Sequence, residues 1–443
     1  MFQRALFIFA HQLAEPKFYP TYKKLVDSQW KPYSEQKRDQ EKQLKEMINF
    51  AYKNVPYYHK LFNNLKLDPS NIRTIDDLEK LPILTKDIIK QNLEAFKPIN
   101  LDSMKYYPNA TSGSTGTNLQ FRLLKYDRFL HGALLYRGWG YAGYELGDKM
   151  VFLAGSSLDI GYKPFVVKRA HEISRNIRKF SSFDMGIEDM QQYAKIINSF
   201  KPKFIRGYAS SINLFANFLD DNEVDIIKPQ AVFSTAEKLM PNMRENIQNV
   251  FGCKVYDAYG LNDGGLGAYE CSEHSGLHID TERSIMEVVD DNYQQLENGV
   301  GGILATSLHN YAMPFIRYDT GDIGHIISDS CGCGRGSKLL KEVMGRTADF
   351  LLTPEGKYVH GYFLLYCVED GKGIKEFQVV QEKIDKLVIK IVPEKEFNEA
   401  HLDAIREVIR KKSNGWEVEF RYVDKIERTQ AGKYKLVRSE LQL

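Results

Sequence analysis

Between about Lys149 and Ile323 short β-rich runs alternate with helical ones: "KMVFLAG", "MQQYAKIINSF", "KFIRGY", "SINLFANFLDD", "AVFST", "MRENIQNVFG" and "KVYDAY". Such alternation predicts βα units and a largely parallel sheet, which restricts the chain to an α/β fold. With 443 residues, 43% of them hydrophobic, the chain has material for a substantial core and two to three domains. After Gly345 the pattern changes to "EFQVVQ", "KLVIKIV", a helix around Asn398 to Lys412, and "VEFRYV". That is a small α+β unit, with the boundary at "GRTADF", so the expected domains are 1–343 and 344–443. No internal repeat or low-complexity tract interrupts them.

The segment Ser34 to Leu65 places Leu44, Ile48, Phe50, Ala51 and Val55 near helical spacing, predicting a long amphipathic helix that ends near Pro56. A further helix is expected after "LPILTK", capped by Thr85. Sixty basic against fifty-eight acidic side chains leave a net charge of +2, so no overall field draws the protein to nucleic acid or to an anionic membrane. The N-terminal apolar run is about six residues, too short for a secretory or membrane segment. A soluble, cytoplasmic protein with no membrane span is expected. Five cysteines, an odd count, argue against a disulfide framework and leave reduced thiols or metal ligands.

Four stretches could carry chemistry. "ATSGSTGTNLQF" holds the small residues Thr111, Ser112, Gly113, Ser114, Thr115, Gly116 and Thr117 ahead of a strand-like run. Glycines let backbone N–H groups converge on phosphate and hydroxyls add donors without bulk, although a plain turn has the same composition. No Walker-type phosphate loop is present. "VYDAYGLNDGG" sets Tyr259, Asn262 and Asp263 just past a strand-like run, where a parallel sheet presents ligands to a bound molecule; Asn and Asp also suit an ordinary turn. In "MPFIRYDTGDIG", Asp319 and Asp322 bracket "TG", fit either for bonding vicinal sugar hydroxyls or for a hairpin turn. "RTQAGKYK" carries Lys433 on a glycine-flanked loop, where a solvated surface charge is the ordinary reading.

Cys271 and His274 form a C-x2-H pair, and Cys331 and Cys333 a C-x-C pair in a polar, glycine-rich loop. Two such pairs can close a tetrahedral, structural Zn²⁺ site, against the alternative of reduced loop thiols with an unrelated histidine. His278 competes as the nitrogen ligand but is expected to begin a strand. Cys253 and Cys367 lie in apolar runs and are assigned to packing.

Taken in order, "HKLFNN" after "NVPYY", "LPILTK", "TSGSTGT", "FIRGYASS", "STAEKL", "YGLND", "MPFIRYDTGD", "GRTAD" and "AGK" span nearly the whole chain. The chain thereby resembles the adenylate-forming superfamily, most closely the phenylacetate-CoA ligase family and its relatives from capsular polysaccharide biosynthesis loci. The resemblance implies a large N-terminal adenylation domain and a mobile C-terminal lid. It implies ATP-dependent conversion of a carboxylic acid to acyl-AMP with release of pyrophosphate, then acyl transfer to coenzyme A, with Mg²⁺ as cofactor. In similar enzymes the loop from Thr111 to Thr117 folds over the ATP phosphates, while Ala236 and Glu237 flank the adenine. Tyr259 packs on the nucleotide, Asn262 stands near the α-phosphate, Asp263 on the Mg²⁺ side, and Asp322 on the ribose hydroxyls. Arg346 starts the interdomain hinge and Lys433 is the catalytic lysine. Relatives also bear cysteines like those of the zinc candidate.

The chain departs from the pattern in three places. "YGLND" has Asn and Asp where Ser/Thr and Glu are usual, shortening the metal-side carboxylate by about one methylene. Ala348 occupies the position of the usual Asp or Lys hinge, which bears on the second half-reaction. Leu436 replaces an Arg often found three residues past the lysine. Two rival readings are an adenylating enzyme with a non-CoA acceptor in surface-polysaccharide synthesis and a catalytically silent nucleotide-binding relative. The acid is not legible; "LYRGWGYAG", Tyr208 and Thr235 are candidates for its pocket or for core. The oligomeric state stays open, with a homodimer among the options.

Overall fold

Pro56 divides the first long helical stretch, because a proline lacks the N–H an interior helical turn needs yet suits a first helical position. In the computed structural model, which describes residues 2–111, 119–155, 165–182, 185–346, 350–360, 373–394, 397–428 and 435–441, α1 (Phe2–Ala14) and α2 (Phe18–Ser28) open the chain. They are followed by α3 (Tyr33–Asn54) and, beginning at Pro56, α4 (Pro56–Leu65). Thr85 caps α5 (Lys86–Gln91), its Oγ1 accepting from the Ile88 N–H at 3.3 Å. No helix among the described residues is long and apolar enough to cross a membrane.

The chain forms two compact units, Met1–Met344 and Gly345–Leu443. In the first, β1 (Tyr106–Ala110) and β2 (Gln120–Leu124) make an antiparallel pair. The predicted alternation then follows: α6 (Lys125–Gly140), β3 (Met150–Ala154), α7 (Phe165–Arg175), β4 (Ile177–Ser181), α8 (Ile187–Phe200), β5 (Phe204–Tyr208), α9 (Ala209–Asp221), β6 (Ala231–Thr235), α10 (Pro241–Phe251) and β7 (Lys254–Tyr256). These strands form a parallel sheet in the order β4-β3-β5-β6-β7. The mixed α/β class is as the sequence predicts.

The parallel sheet stops at Tyr256, short of the expected Ile323. "KVYDAY" is split at Asp257, and β8 (Ala258–Gly260) begins a second, antiparallel sheet. It continues with β9 (Gly267–Glu270), β10 (Leu277–Ile279), β11 (Ser284–Val289), β12 (Gly299–Ser307), β13 (Tyr318–Ile327) and β14 (Leu339–Arg346), in the order β11-β12-β13-β14-β10-β9-β8. Residues of β13 alternate strictly between buried and part-exposed, the pattern of a sheet covered on one face, whereas every residue of β5 is buried.

Alternate residues of the parallel strands feed two cores. Val151, Ile205, Val232 and Val255 pack with Ile197, Ile212 and Ile247 from α8, α9 and α10. Phe152, Phe204 and Phe233 pack with Phe7, Phe18, Leu130 and Trp139 from α1, α2 and α6. Helix α6 also touches the antiparallel sheet, since a Cβ at Gly138 would stand 2.3 Å from the Tyr269 ring on β9. Two buried ion-pair groups fasten it there: Arg283 Nη2 to Asp127 Oδ2 at 2.7 Å, and Arg137 to Asp280 and Glu282 at 2.6 Å each. Because a ring within a packed core moves only at the expense of its neighbours, Gly138→Ala is expected to lower stability by about 2 kcal/mol or more. Chemical denaturation measures this; an unchanged midpoint and slope would mean that the contact yields freely.

The second unit holds β15 (Phe350–Leu352), β16 (Tyr358–His360), β17 (Ile374–Lys383), β18 (Lys386–Pro393), α11 (Ala400–Lys412), β19 (Glu417–Tyr422) and β20 (Val437–Ser439). Its main sheet runs β19-β18-β17-β20, antiparallel only between β17 and β18. Leu402, Ile405 and Ile409 of α11 are buried, as are Val379, Leu387 and Ile391 of the sheet.

Candidate active site and metal centre

The hydroxyl-rich stretch joins β1 to β2. Its base is closed at Thr111, whose backbone N–H donates to the Leu119 carbonyl and whose Oγ1 accepts from the Leu119 N–H, both at 2.9 Å. Ser112, Gly113, Ser114, Thr115, Gly116 and Thr117 lie outside the described residues, as do Ala348, Cys367 and Lys433. Arg346 ends β14, with its side chain outside them too. Both flanks of the lysine segment are tied to β17: Arg428 Nη2 meets Glu376 Oε1 at 2.7 Å, and Gln378 Nε2 donates to the Lys435 carbonyl at 2.7 Å.

The remaining candidates gather at the carboxyl ends of the parallel strands, where an open α/β sheet binds ligands. After β6, Ala236 is exposed and holds φ of 69°, a left-handed conformation that costs a non-glycine residue about 1–2 kcal/mol. The next residue, Glu237, accepts from the Ser210 N–H at 3.0 Å and so caps the start of α9. In the adjoining antiparallel sheet, "YDTGD" is a bulge inside β13 and not a hairpin turn. Pairing with β12 slips between Gly302 and Leu304, Thr320 Oγ1 donates to the Ile303 carbonyl at 2.7 Å, and Gly321 takes φ of 74°. The bulge aims Asp322 at Tyr259, whose hydroxyl donates to Asp322 Oδ2 at 2.8 Å. The Tyr318 hydroxyl donates to Asp263 Oδ2 at 2.9 Å. Asn262 lies close enough to His131 of α6 to act on its ring.

Burial raises the Asp263 carboxyl above its ordinary range, and burial together with Asp322 raises the Tyr259 hydroxyl. Burial and the positive charges of Arg283 and Arg206 hold His131 well below the usual imidazole range, so it is neutral near pH 7. Tyr259, Asp263 and His131 are surrounded by protein yet each keeps part of its surface open to solvent, which is the situation of groups lining a cleft. The structure thus brings together Tyr259, Asn262, Asp263 and Asp322, with tyrosine partners and carboxylates able to meet hydroxyls or a hard cation.

The metal candidate needs one correction. Cys271, Cys331 and Cys333 converge with His278, and not with His274; the four ligand atoms lie within 4.8 Å of one another. Cys271 Sγ is 3.6 Å from Cys331 Sγ, and Cys333 Sγ is 3.3 Å from His278 Nε2. Ligands about 2.3 and 2.1 Å from a tetrahedral Zn²⁺ stand roughly 3.5–3.8 Å apart, so this set fits the ion. Burial and nearby Arg335 and Arg137 push His278 down to about 4, leaving the neutral imidazole that a metal requires, and Ser337 Oγ lies 3.2 Å from its other nitrogen. His274 sits in the turn with φ of 50°, its Nδ1 3.1 Å from Glu270 Oε1 and its ring 4.9 Å from that of Tyr256. The Cys253 thiol packs against the core of α9 and α10 and is pushed up to about 12 by burial.

Sequence reasoning passed over His131, Tyr318 and Arg206. Arg206 carried a signal: it is the charged residue in "FIRGY", a run otherwise fit for a fully buried strand. His131 is one turn from Asp127 on α6, and nothing in its own neighbourhood distinguishes it.

Residues 351–440 match the family described as the CapK C-terminal domain. The chain is 26% identical to Protein CapK of Staphylococcus aureus over 357 residues, 80% of this chain and 77% of that protein. It is 27% identical to a phenylacetate-coenzyme A ligase of Thermus thermophilus over 332 residues, 71% of each chain. Among solved structures, a 2-hydroxyisobutyryl-CoA ligase in the postadenylation state superposes with a TM-score of 0.73 at 17% identity, covering 93% of this chain and 91% of that one. An anthranilate CoA ligase bound to anthranoyl-AMP gives a TM-score of 0.52 at 16% identity, over 74% and 65%.

Proposed function

We propose, on the premise that this chain is a relative of CapK and the phenylacetate-CoA ligases and has the fold of adenylate-forming ligases, that it activates a carboxylic acid with ATP and passes the acyl group to coenzyme A. The observation that carries this reading is the strand-end cleft in which Tyr259 holds Asp322 and Tyr318 holds Asp263, with Asn262 beside them and close to His131. Asp322 would bond the ribose hydroxyls, and its tyrosine partner keeps it oriented. Asp263 is a part-buried carboxylate of the kind that binds Mg²⁺ together with substrate phosphates; the ion would neutralise phosphate charge as it develops. Thr111 to Thr117 would hold the departing pyrophosphate, Ala236 and Glu237 the adenine edge, and Arg346 the hinge.

The carboxylate oxygen attacks the α-phosphorus, the bond to the β-phosphate oxygen breaks, and pyrophosphate leaves with that electron pair. The acyl-AMP formed is a mixed anhydride, and the thiol of CoA then displaces AMP. The Cys271, His278, Cys331 and Cys333 set would hold a structural Zn²⁺, since all four positions are filled by protein.

Exchange of labelled pyrophosphate into ATP that depends on an added carboxylate tests the first step. Asp322→Asn is expected to raise the KM for ATP roughly 10- to 100-fold, because the weaker acceptor loses charge-assisted bonds to the ribose. No exchange with a broad panel of aromatic, aliphatic and sugar acids would refute adenylation.

A second reading, transfer to an acceptor other than CoA such as a hydroxyl on a surface-polysaccharide precursor, is favoured by the CapK-type match of residues 351–440. Acyl-AMP formation with no CoA consumption would select this reading.

A further inference from the structure

Among the described residues, Arg137, Arg206, Arg283 and Arg317 are the buried arginines. Three of them face carboxylates: Arg137 on Asp280 and Glu282, Arg283 on Asp127, and Arg317 on Glu287 at 3.1 Å. Arg206, 8% exposed, is different. Its guanidinium donates to no carboxylate or carbonyl among the described residues, and its companions are rings: Cζ lies 5.3 Å from the centre of Trp139 and 5.6 Å from that of Phe152. The titratable groups near its charge are the phenols of Tyr269, Tyr208 and Tyr136. Burial lowers it only to about 10, so it remains a cation at neutral pH.

A buried charge without a counter-ion is costly, and cation-π contacts offset only part of that. Its place in the fold indicates what would complete it. Arg206 sits on β5, two residues before that strand's carboxyl end, on the face packed against α6. It is near enough to depress His131, which neighbours Asn262 in the turn assigned above to the α-phosphate. Beside His131, a Cβ at Gly132 would meet nothing within 4 Å, so space is open there.

We propose that Arg206 recognises a second carboxylate on the acid that is activated, the substrate being a dicarboxylate that reacts at the end nearer Asn262. His131 is neutral and lines the wall between, and Trp139 with Phe152 supports the guanidinium. This rests on the adenylation reading, so its test carries a readout that does not depend on turnover.

Adipate against hexanoate, and 4-carboxyphenylacetate against phenylacetate, are compared in calorimetric binding and in pyrophosphate exchange. The proteins are wild type, Arg206→Leu and Arg206→Lys. The wild type is expected to favour the diacid of a pair. Arg206→Leu should raise the diacid-to-monoacid ratio of Kd and of KM about 100-fold, as when a charge-assisted contact is lost, and Arg206→Lys should restore part of it. Leucine among Trp139 and Phe152 suits the site, and a melting curve checks that the variant is folded. Equal weakening of both members of a pair would assign Arg206 to the reacting carboxylate and overturn the proposal. So would exchange supported by monoacids with no diacid preference, an outcome that leaves adenylation intact. Diacid binding that depends on Arg206 but supports no exchange would uphold the anion site and overturn adenylation. Absence of both binding and exchange would overturn both.

Discussion

Lys433→Ala is expected to lower the kcat of carboxylate-dependent pyrophosphate exchange by about 100- to 1,000-fold, the scale of losing one preorganised donor to a developing phosphate charge. A compact ammonium on a flexible stem suits that task, and alanine offers nothing in its place. The flanks of the lysine segment are held to β17 by other groups, Arg428 on Glu376 and the Lys435 carbonyl on Gln378. The variant should therefore melt with the wild type and still bind ATP. Exchange that survives within about threefold would remove Lys433 from the chemistry.

The second large effect concerns the metal. Elemental analysis of protein produced with zinc available should find about one Zn²⁺ per chain, and Cys331→Ser combined with Cys333→Ser should lose it. A structural ion bound only in the folded state contributes its binding free energy to folding, so the loss is expected to be several kcal/mol, read as a fall in the denaturation midpoint. The two histidines separate the ligand assignments: His278→Ala should release the metal, whereas His274→Ala should retain it. The opposite pattern would sink the assignment made from the distances.

The difference between those histidines shows why a local spacing misled. C-x2-H suggests a compact pair, but β9 and β10 run antiparallel, with Leu277 opposite Glu270 and His278 opposite Tyr269. That register returns His278 to the neighbourhood of Cys271, and register is a property of two strands that neither sequence segment displays. Local signals fared better: Pro56 and Thr85 act within one helical turn and set boundaries as expected. The break at Asp257 was hidden because "KVYDAY" reads as one strand; that its two halves join different sheets is decided by the strands they meet. In β13 "YDTGD" was open to a turn, and only pairing with β12 reveals a bulge. Arg206 stands out in its apolar run, but that no carboxylate among the described residues meets it can be seen only once the other buried arginines have found theirs.

Helix α6 carries Asp127 and His131 one turn apart, where side chains on the same face stand about 5–6 Å from each other. Asp127 is clamped by Arg283, with Nε 3.1 Å and Nη2 2.7 Å from Oδ2. This clamp fixes the helical turn that carries His131, much as a peg fixes the pitch of a string. Laboratory selection for new acids should therefore yield substitutions at Asp127 and Arg283 that retune preference from behind the pocket wall. A catalogue of lining residues alone would overlook such changes.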